Sequence, residues 1–436
     1  MTRPRQATPA LQDRAPRDRA SLTLASSNQA SSGKRRLGDL SLHQFLRRHW
    51  QRRPLLVRQA WSSLGAGADM PFTIRELFAL ARDPDVESRL VFSPGSSPNA
   101  SADTWRLRHG PFSRLPSRRQ PGWSLLVQGV DLHLAAARAM MDCFRFIPDA
   151  RLDDLMISFA SDGGGVGPHV DSYDVFLLQV QGRRRWRVCA PASVSLVPDA
   201  PLKILADFEP QQTWLLQPGD MLYLPPGWGH EGTAVGECMT CSIGFRSPSI
   251  AELRQAFFTF LVDTAPEQPP AGALRRYRDK TLAPAARPAE IPDDMARTLG
   301  DWLREYQPPA QVIERFIGRY LTEPKPSVWF NAPSGATALS DLVPSGSPRP
   351  SSDAAPEIAL ELDRRTRMLY RLDDFYINGE TVDLPRSRSQ ARALLQTLAD
   401  QRRLDAVQTA DALRIPWLRA TLEDWLASGW LKRAST

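Results

Sequence analysis

The sequence predicts a chain whose centre is an antiparallel β barrel or sandwich, with helical segments on both sides. Three observations carry that reading. From Trp123 onward, six short apolar runs are separated by Gly, Pro and Asp: SLLVQGV, DLMISFA, DVFLLQV, RRWRVCA, TWLLQPGDMLYLPPGW and ECMTCSIGFRS. Runs this short, broken this often, read as strands. Helical periodicity marks the flanks instead, up to Pro54, over residues 71–82 and again from residue 250. The length of 436 residues exceeds one ordinary domain and fits two or three.

The first segment, residues 1–36, reads as a disordered basic tail. Eight Lys and Arg stand there against Asp13 and Asp18, so the tail holds +6 of the net charge of +7. A solvated extension explains it; its Arg and Ser content also resembles a transit peptide, and a weak contact with nucleic acid is the alternative. The rest of the chain is close to neutral, so the isoelectric point near 9.5 says little about nucleic-acid binding. The tail has no apolar central segment of a secretory signal, and no stretch reaches 18 consecutive apolar residues, so no membrane span is expected. Of the four cysteines, Cys238 and Cys241 form a C-x-x-C with no second pair or histidine cluster to complete a zinc site. Reduced thiols and a cytoplasmic location are the expectation.

The fold is expected to begin near Leu37. LGDLSLHQFLRRHWQRRPLLVRQAW reads as a helix stopped by Pro54, then a strand over Leu55 to Val57. A helix is expected over 71–82 and a strand from Leu90 to Phe92, ahead of the six apolar runs. After them, IAELRQAFFTFLVDT, DMARTLGDWLREY and PAQVIERFIGRYLTE are helical, joined by a Pro/Ala-rich connection. PSGSPRPSSDAAPE, residues 344–357, reads as a linker. The last part is expected to run strand, Asn378-Gly379 turn, strand, then three amphipathic helices ending in WLASGWLK.

Chemistry concentrates in GGGVGPHVDSYDVFLLQVQGRRRWRV, residues 163–188. His169 and Asp171 are two apart, so on a strand both leave the same face, about 7 Å apart. Alone, the pair also fits an exposed loop histidine beside an N-capping aspartate. PGDMLYLPPGWGHEG, residues 218–232, supplies the second half. If the barrel pairs these runs, His230 returns to the strand bearing His169. Two imidazoles and one carboxylate then hold one face of an ion and leave three positions open, the arrangement of non-haem iron(II) oxygenases. An open face lets Fe(II) hold a bidentate 2-oxo acid and O2 together. The far carboxylate of such a co-substrate needs a fixed cation, and a guanidinium offers two parallel hydrogen bonds. Strand alternation sets Arg183, Arg185 and Arg187 on one face and Arg184 with Trp186 on the other, the inward one.

HVD, YDVFLLQ, GRRRWRV and YLPPGWGHEG, with WSLLVQGV and DDLMISFASDGGGVGPHVD, resemble the JmjC-type 2-oxoglutarate oxygenases. Within them the likeness is to bacterial ribosomal oxygenases, the arginine hydroxylases of large-subunit ribosomal protein sixteen. The resemblance covers residues 37–262 and implies a mainly β, cupin-like double-stranded β-helix there. It implies a helical dimerisation region over 263–343 and a winged-helix-like domain over 358–436, hence a homodimer. His169, Asp171 and His230 become the iron ligands and catalytic residues, and Arg184 the anchor of 2-oxoglutarate. Ser158 matches a position contacting co-substrate or substrate. Cys238, Thr240 and Cys241 depart from the Asn and Tyr character expected at their positions.

Three residues keep two readings each. Asp162, directly before the glycines, is either the partner of a substrate cation or an ordinary turn-former. Tyr173 and Asp174 either orient the ligands or merely begin a strand. The glycines themselves are expected to bend the chain beside the metal through backbone angles that other residues resist. Against hydroxylation stand three other readings: an N-methyl-lysine demethylase on the same fold, a catalytically silent binding module, and a cupin-type metal isomerase, which has no need of a deep arginine.

Overall fold

The computed structural model describes residues 36–65, 72–96, 104–190, 194–264, 276, 278, 291–305, 307–331, 358–385 and 389–434. The basic tail before Arg36, with its possible nucleic-acid contact, and the 344–357 linker lie outside them. Two compact units divide the chain at Ser247 and Pro248.

The first unit is built on one ten-stranded antiparallel sheet. Its strands are β1 (Leu55–Val57), β2 (Ser88–Phe92), β3 (Arg106–His109), β4 (Trp123–Val127), β5 (Leu152–Ala160), β6 (His169–Val170), β7 (Val175–Cys189), β8 (Gln212–Leu216), β9 (Met221–Leu224) and β10 (Gly229–Phe245). The order is β1-β9-β7-β10-β5-β4-β2-β3, with β8 added beside β7 and β6 beside β10. The runs DVFLLQV and RRWRVCA are one strand, β7, and GHEG joins ECMTCSIGF as another, β10. These two pair along nearly their whole length, with register shifts between Val235 and Thr240. Gly182 (φ +63) and Gly236 (φ +72) sit at that irregularity, where an extra residue bends a strand rather than ending it. The first half of β7 pairs with β9 and the second half with β8. The C-terminal half of β10 pairs with β5, while its start pairs with β6. Each long strand thus changes its second partner partway along, the pairing of a double-stranded β-helix.

Helices cover the outer face. α1 (Leu42–Arg48) is shorter than its periodicity predicts, because Ser41 and Gln44 form a capping box that fixes its start. Thr73 and Glu76 do the same for α2 (Ile74–Leu80). Phe45 of α1 is fully buried, with its ring 5.0 Å from Tyr223 and 5.6 Å from Phe176. α3 (Ala135–Asp142), which the periodicity did not mark, buries Ala137, Met140 and Met141 in the same core. The opposite face of the strands carries Val175, Leu177, Trp186, Val188, Leu216, Leu222 and Leu224 as a separate apolar cluster.

In the second unit, α4 (Ile250–Asp263) packs through Phe257 and Phe260 on Phe316 of α6 (Ala310–Thr322), with α5 (Asp293–Glu305) between them in sequence. Strand β11 (Leu360–Leu362) is flanked by β15 (Arg403–Leu404) and β16 (Leu431–Arg433). The strands β12 (Met368–Arg371), β13 (Asp374–Ile377) and β14 (Glu380–Val382) form a meander, turned at Asn378-Gly379 with both φ positive. α7 (Ser389–Gln401), α8 (Ala406–Leu413) and α9 (Pro416–Ala427) are the three expected helices. They close a core with Leu360, Phe375, Leu398, Leu422 and Trp425. Among the described residues no helix is long and apolar enough to cross a membrane.

Candidate metal centre

His169 and His230 lie directly opposite each other in the β6–β10 register. Their ring centroids are 4.2 Å apart, and His230 Nε2 is 3.6 Å from Asp171 Oδ2. One ligand-capable atom from each of His169, Asp171 and His230 lies within 4.8 Å of the others, the only such group of three found among the described residues. Both imidazoles are aimed by their other nitrogen. Nδ1 of His169 meets the Gly167 carbonyl at 2.9 Å, and Nδ1 of His230 meets the Trp228 carbonyl at 3.0 Å. A carbonyl only accepts, so each Nδ1 carries the proton and each Nε2 keeps its lone pair for a metal. Burial, with His169 close by, lowers the pKa of His230 to about 4 against the pull of Asp171, so its ring is neutral near pH 7. Two neutral nitrogens and a carboxylate oxygen, with no thiolate, suit a ferrous ion.

Why glycine precedes His169 is a matter of room more than of angle. Gly163 does take φ +72, but Gly164 and Gly165 have ordinary φ. A Cβ on Gly164 would stand 2.3 Å from the Trp123 carbonyl oxygen, and one on Gly165 2.6 Å from that of Gly232. Gly163 N–H donates to Ala234 O at 3.1 Å, and Ala234 N–H donates to Gly164 O at 2.9 Å. The glycine run is thereby hydrogen-bonded to β10 at Ala234, ahead of the point where His169 meets His230.

Arg184 is 5% exposed, while Arg183 and Arg185 are exposed and Arg187 pairs with Glu231, as alternation requires. Its Nη1 donates to Ser158 Oγ at 3.0 Å across the barrel, which places this face inside. No carboxylate among the described residues pairs with it, and its buried Nε has no partner. Arg184 stands opposite Ala234 on β10, and Val188 stands opposite His230, so the cation and the histidines line one interior wall. A buried cation without an anion is costly, and a dicarboxylate reaching from the metal would supply that anion. The residues present fit 2-oxoglutarate.

Ser158 is thus joined to Arg184. Thr240, opposite Ser158, donates to Gln179 Oε1 at 2.9 Å, and all three are buried. Sequence reasoning did not single out Gln179, although it is the one amide in an otherwise apolar stretch of β7. Asp174 is fully buried but accepts from Tyr223 Oη (2.6 Å), Gln51 Nε2 (3.1 Å) and Arg151 Nη2 (3.1 Å). It ties the helix-facing side of the barrel together, and no hydrogen bond links it to the histidines. Tyr173 is part-exposed beside Asp171. Asp162 is exposed, and its Oδ1 accepts from Gly236 N–H at 2.7 Å, six residues along β10 from His230. The structure does not bring it into the cluster of three.

Residues 139–253 match the family model of the JmjC domain, and residues 288–432 match that of the ROXA-like winged helix. The second match takes in both α5 and α6. The ribosomal protein uL16 3-hydroxylase of Escherichia coli K12 is 34% identical over 404 residues, covering 90% of this chain and 97% of that protein. The probable ribosomal oxygenase of Haemophilus influenzae is 35% identical over 213 residues, covering 48% of this chain and 50% of that protein. Among solved structures, YcfD of Escherichia coli aligns with a TM-score of 0.73 at 32% identity, over 91% of this chain and 99% of that one. The same ribosomal oxygenase in complex with cobalt and 2-oxoglutarate aligns with a TM-score of 0.72 at 31% identity, over 96% of this chain and all of that one (100%).

Proposed function

Since the chain belongs to the family of JmjC-domain ribosomal oxygenases, we propose that it hydroxylates an arginine side chain of a large-subunit ribosomal protein. Fe(II) is the cofactor, and 2-oxoglutarate and O2 are the co-substrates. The observation that carries this reading is Arg184: a buried guanidinium, unpaired by any described carboxylate, on the wall that bears His230.

His169, Asp171 and His230 would hold the iron on one face. Iron bound there supplies the activation of O2 that couples oxidative decarboxylation of 2-oxoglutarate to hydroxylation. Overall, one oxygen atom enters a substrate C–H bond, the other enters succinate, and CO2 leaves. The chain's own residues do the positioning. Arg184, steadied by Ser158, fixes the far carboxylate of 2-oxoglutarate, so its oxo-acid end has one approach to the metal. Val175, Leu177, Val188, Leu216 and Leu222 keep that approach dry. Asp162, whose Oδ1 is fixed by Gly236, offers its second oxygen to the guanidinium of the substrate.

The E. coli relative is named for hydroxylation of uL16, and uL16 is the substrate proposed here. A ribosomal protein substrate goes with a cytoplasmic enzyme. Residues 263–343 are proposed to join two subunits. Leu299 and Leu303 on α5 and Ile313 and Ile317 on α6 are exposed, as are Phe258 and Val262 on the preceding α4. Such apolar faces bury against a partner.

The test is incubation of the chain with Fe(II), 2-oxoglutarate and recombinant uL16, read by intact mass. Gain of one oxygen on uL16, matched by succinate, is expected. Loss of a methyl group from a methylated lysine peptide would establish the demethylase instead. Absence of succinate release with any ribosomal protein would count against the oxygenase and leave the silent module and the cupin-type isomerase.

A further inference from the structure

We propose that Trp186 is a positioning residue for this reaction: its indole, wedged between Arg184 and His230 and held by Gly232, fixes where the co-substrate anchor lies. The proposal rests on Arg184 being that anchor. Trp186 is 5% exposed and stands between Arg184 and Val188 on the inward face of β7. Arg184 Cζ lies 5.7 Å from the indole centroid, within reach of the ring's negative face. On its other side the indole centroid is 5.9 Å from that of His230. A guanidinium on a long flexible stem has many rotamers, and a barrel interior with one hydroxyl partner, Ser158, selects among them weakly. An aromatic face beside it removes most of that freedom.

Gly232 accounts for how the ring is held. It stands opposite Trp186 in the β7–β10 register. A Cβ there would lie 2.7–2.9 Å from Cη2, Cζ3 and Cζ2 of the indole. The strand cannot yield, because the β7 ladder runs along one side of it and the glycine run packs on Gly232 from the other. Any side chain at position 232 therefore moves the ring, and the ring moves Arg184.

The measurement is the affinity of the cobalt-loaded protein for 2-oxoglutarate by calorimetry, in a double-mutant cycle with Arg184→Ala. Trp186→Leu, which removes the aromatic face, should weaken binding about tenfold, whereas Trp186→Phe stays within about threefold of the parent. Gly232→Ala should reproduce the Leu variant and carries the cycle alone if Trp186→Leu does not fold. In the Arg184→Ala background, either substitution should change affinity less than twofold. An equal loss in both backgrounds, or no loss in either, overturns the proposal and leaves Trp186 a plain packing residue. Failure of the unaltered chain to bind 2-oxoglutarate at all would instead overturn the functional reading beneath it.

Discussion

Replacing Arg184 by Met removes the charge and the donors while keeping most of the side-chain volume, and it should act in two opposite directions. For the co-substrate, a guanidinium gripping a carboxylate makes two charge-assisted hydrogen bonds, each contributing about 1.5–3 kcal/mol. The lower end, about 3 kcal/mol for both, corresponds to roughly a hundredfold weaker binding of 2-oxoglutarate. For the ligand-free protein the sign reverses. The guanidinium is 5% exposed, with Ser158 Oγ at 3.0 Å and the Trp186 ring at 5.7 Å as its compensating contacts. An uncompensated buried charge costs several kcal/mol, which those two contacts offset only in part. A shortfall of about 1 kcal/mol would appear as a rise of about 2–4 °C in Tm for a unit of this size. Calorimetric titration of 2-oxoglutarate and thermal scanning of the ligand-free protein read the two effects separately. A variant that binds 2-oxoglutarate within threefold of the parent, or that melts several degrees lower, shows Arg184 to be a structural cation and refutes the reasoning.

Three further outcomes are expected. His169→Ala should lose stoichiometric metal, seen by elemental analysis, and all succinate release, while circular dichroism stays that of the parent; one bound iron with full turnover contradicts the ligand set. Asp162→Ala should suppress hydroxylation of uL16 more than it slows uncoupled 2-oxoglutarate turnover, because the substrate guanidinium loses its carboxylate partner; hydroxylation at the parent rate makes Asp162 a turn residue held by Gly236. Light scattering should give about twice the 48.7 kDa chain mass, falling to the single mass in Leu303→Asp; a parent chain that is already monomeric removes the dimer.

Much of the centre was legible because its rules are local. Alternation along β7 placed Arg184 inward and its neighbours outward, and the pairing of H-x-D with the later PGWGH needed only that the two runs meet. Structure shows them meeting in direct register. What escaped depends on contacts distant in sequence. That six apolar runs contain two long strands bent at Gly182 and Gly236 follows from pairing on both edges, which no window of sequence displays. Asp174 reads from its position either as a ligand support or as the start of a strand, and its partners Gln51 and Arg151 arrive from elsewhere in the chain. The helix starts are different: Ser41 with Gln44 and Thr73 with Glu76 are readable capping boxes that periodicity alone passes over.

The β7–β10 ladder also dictates how this chain can change length. His230 and Arg184 share one interior because Val188 faces His230 while Ala234 faces Arg184. Side chains alternate along a strand, so deleting a single residue between His230 and Ala234 would turn one of those two away from the barrel. The run from Gly163 to His169 is tied to β10 near its two ends, at Ala234 and at His230. Between those positions the ladder can vary only by substitution, while an extra residue is absorbed where the two strands are irregular, near Gly182 and Gly236, or in a connection such as that between Cys189 and Gln212. A related chain one residue shorter between its distal histidine and the partner of its arginine can be judged inactive by counting alone.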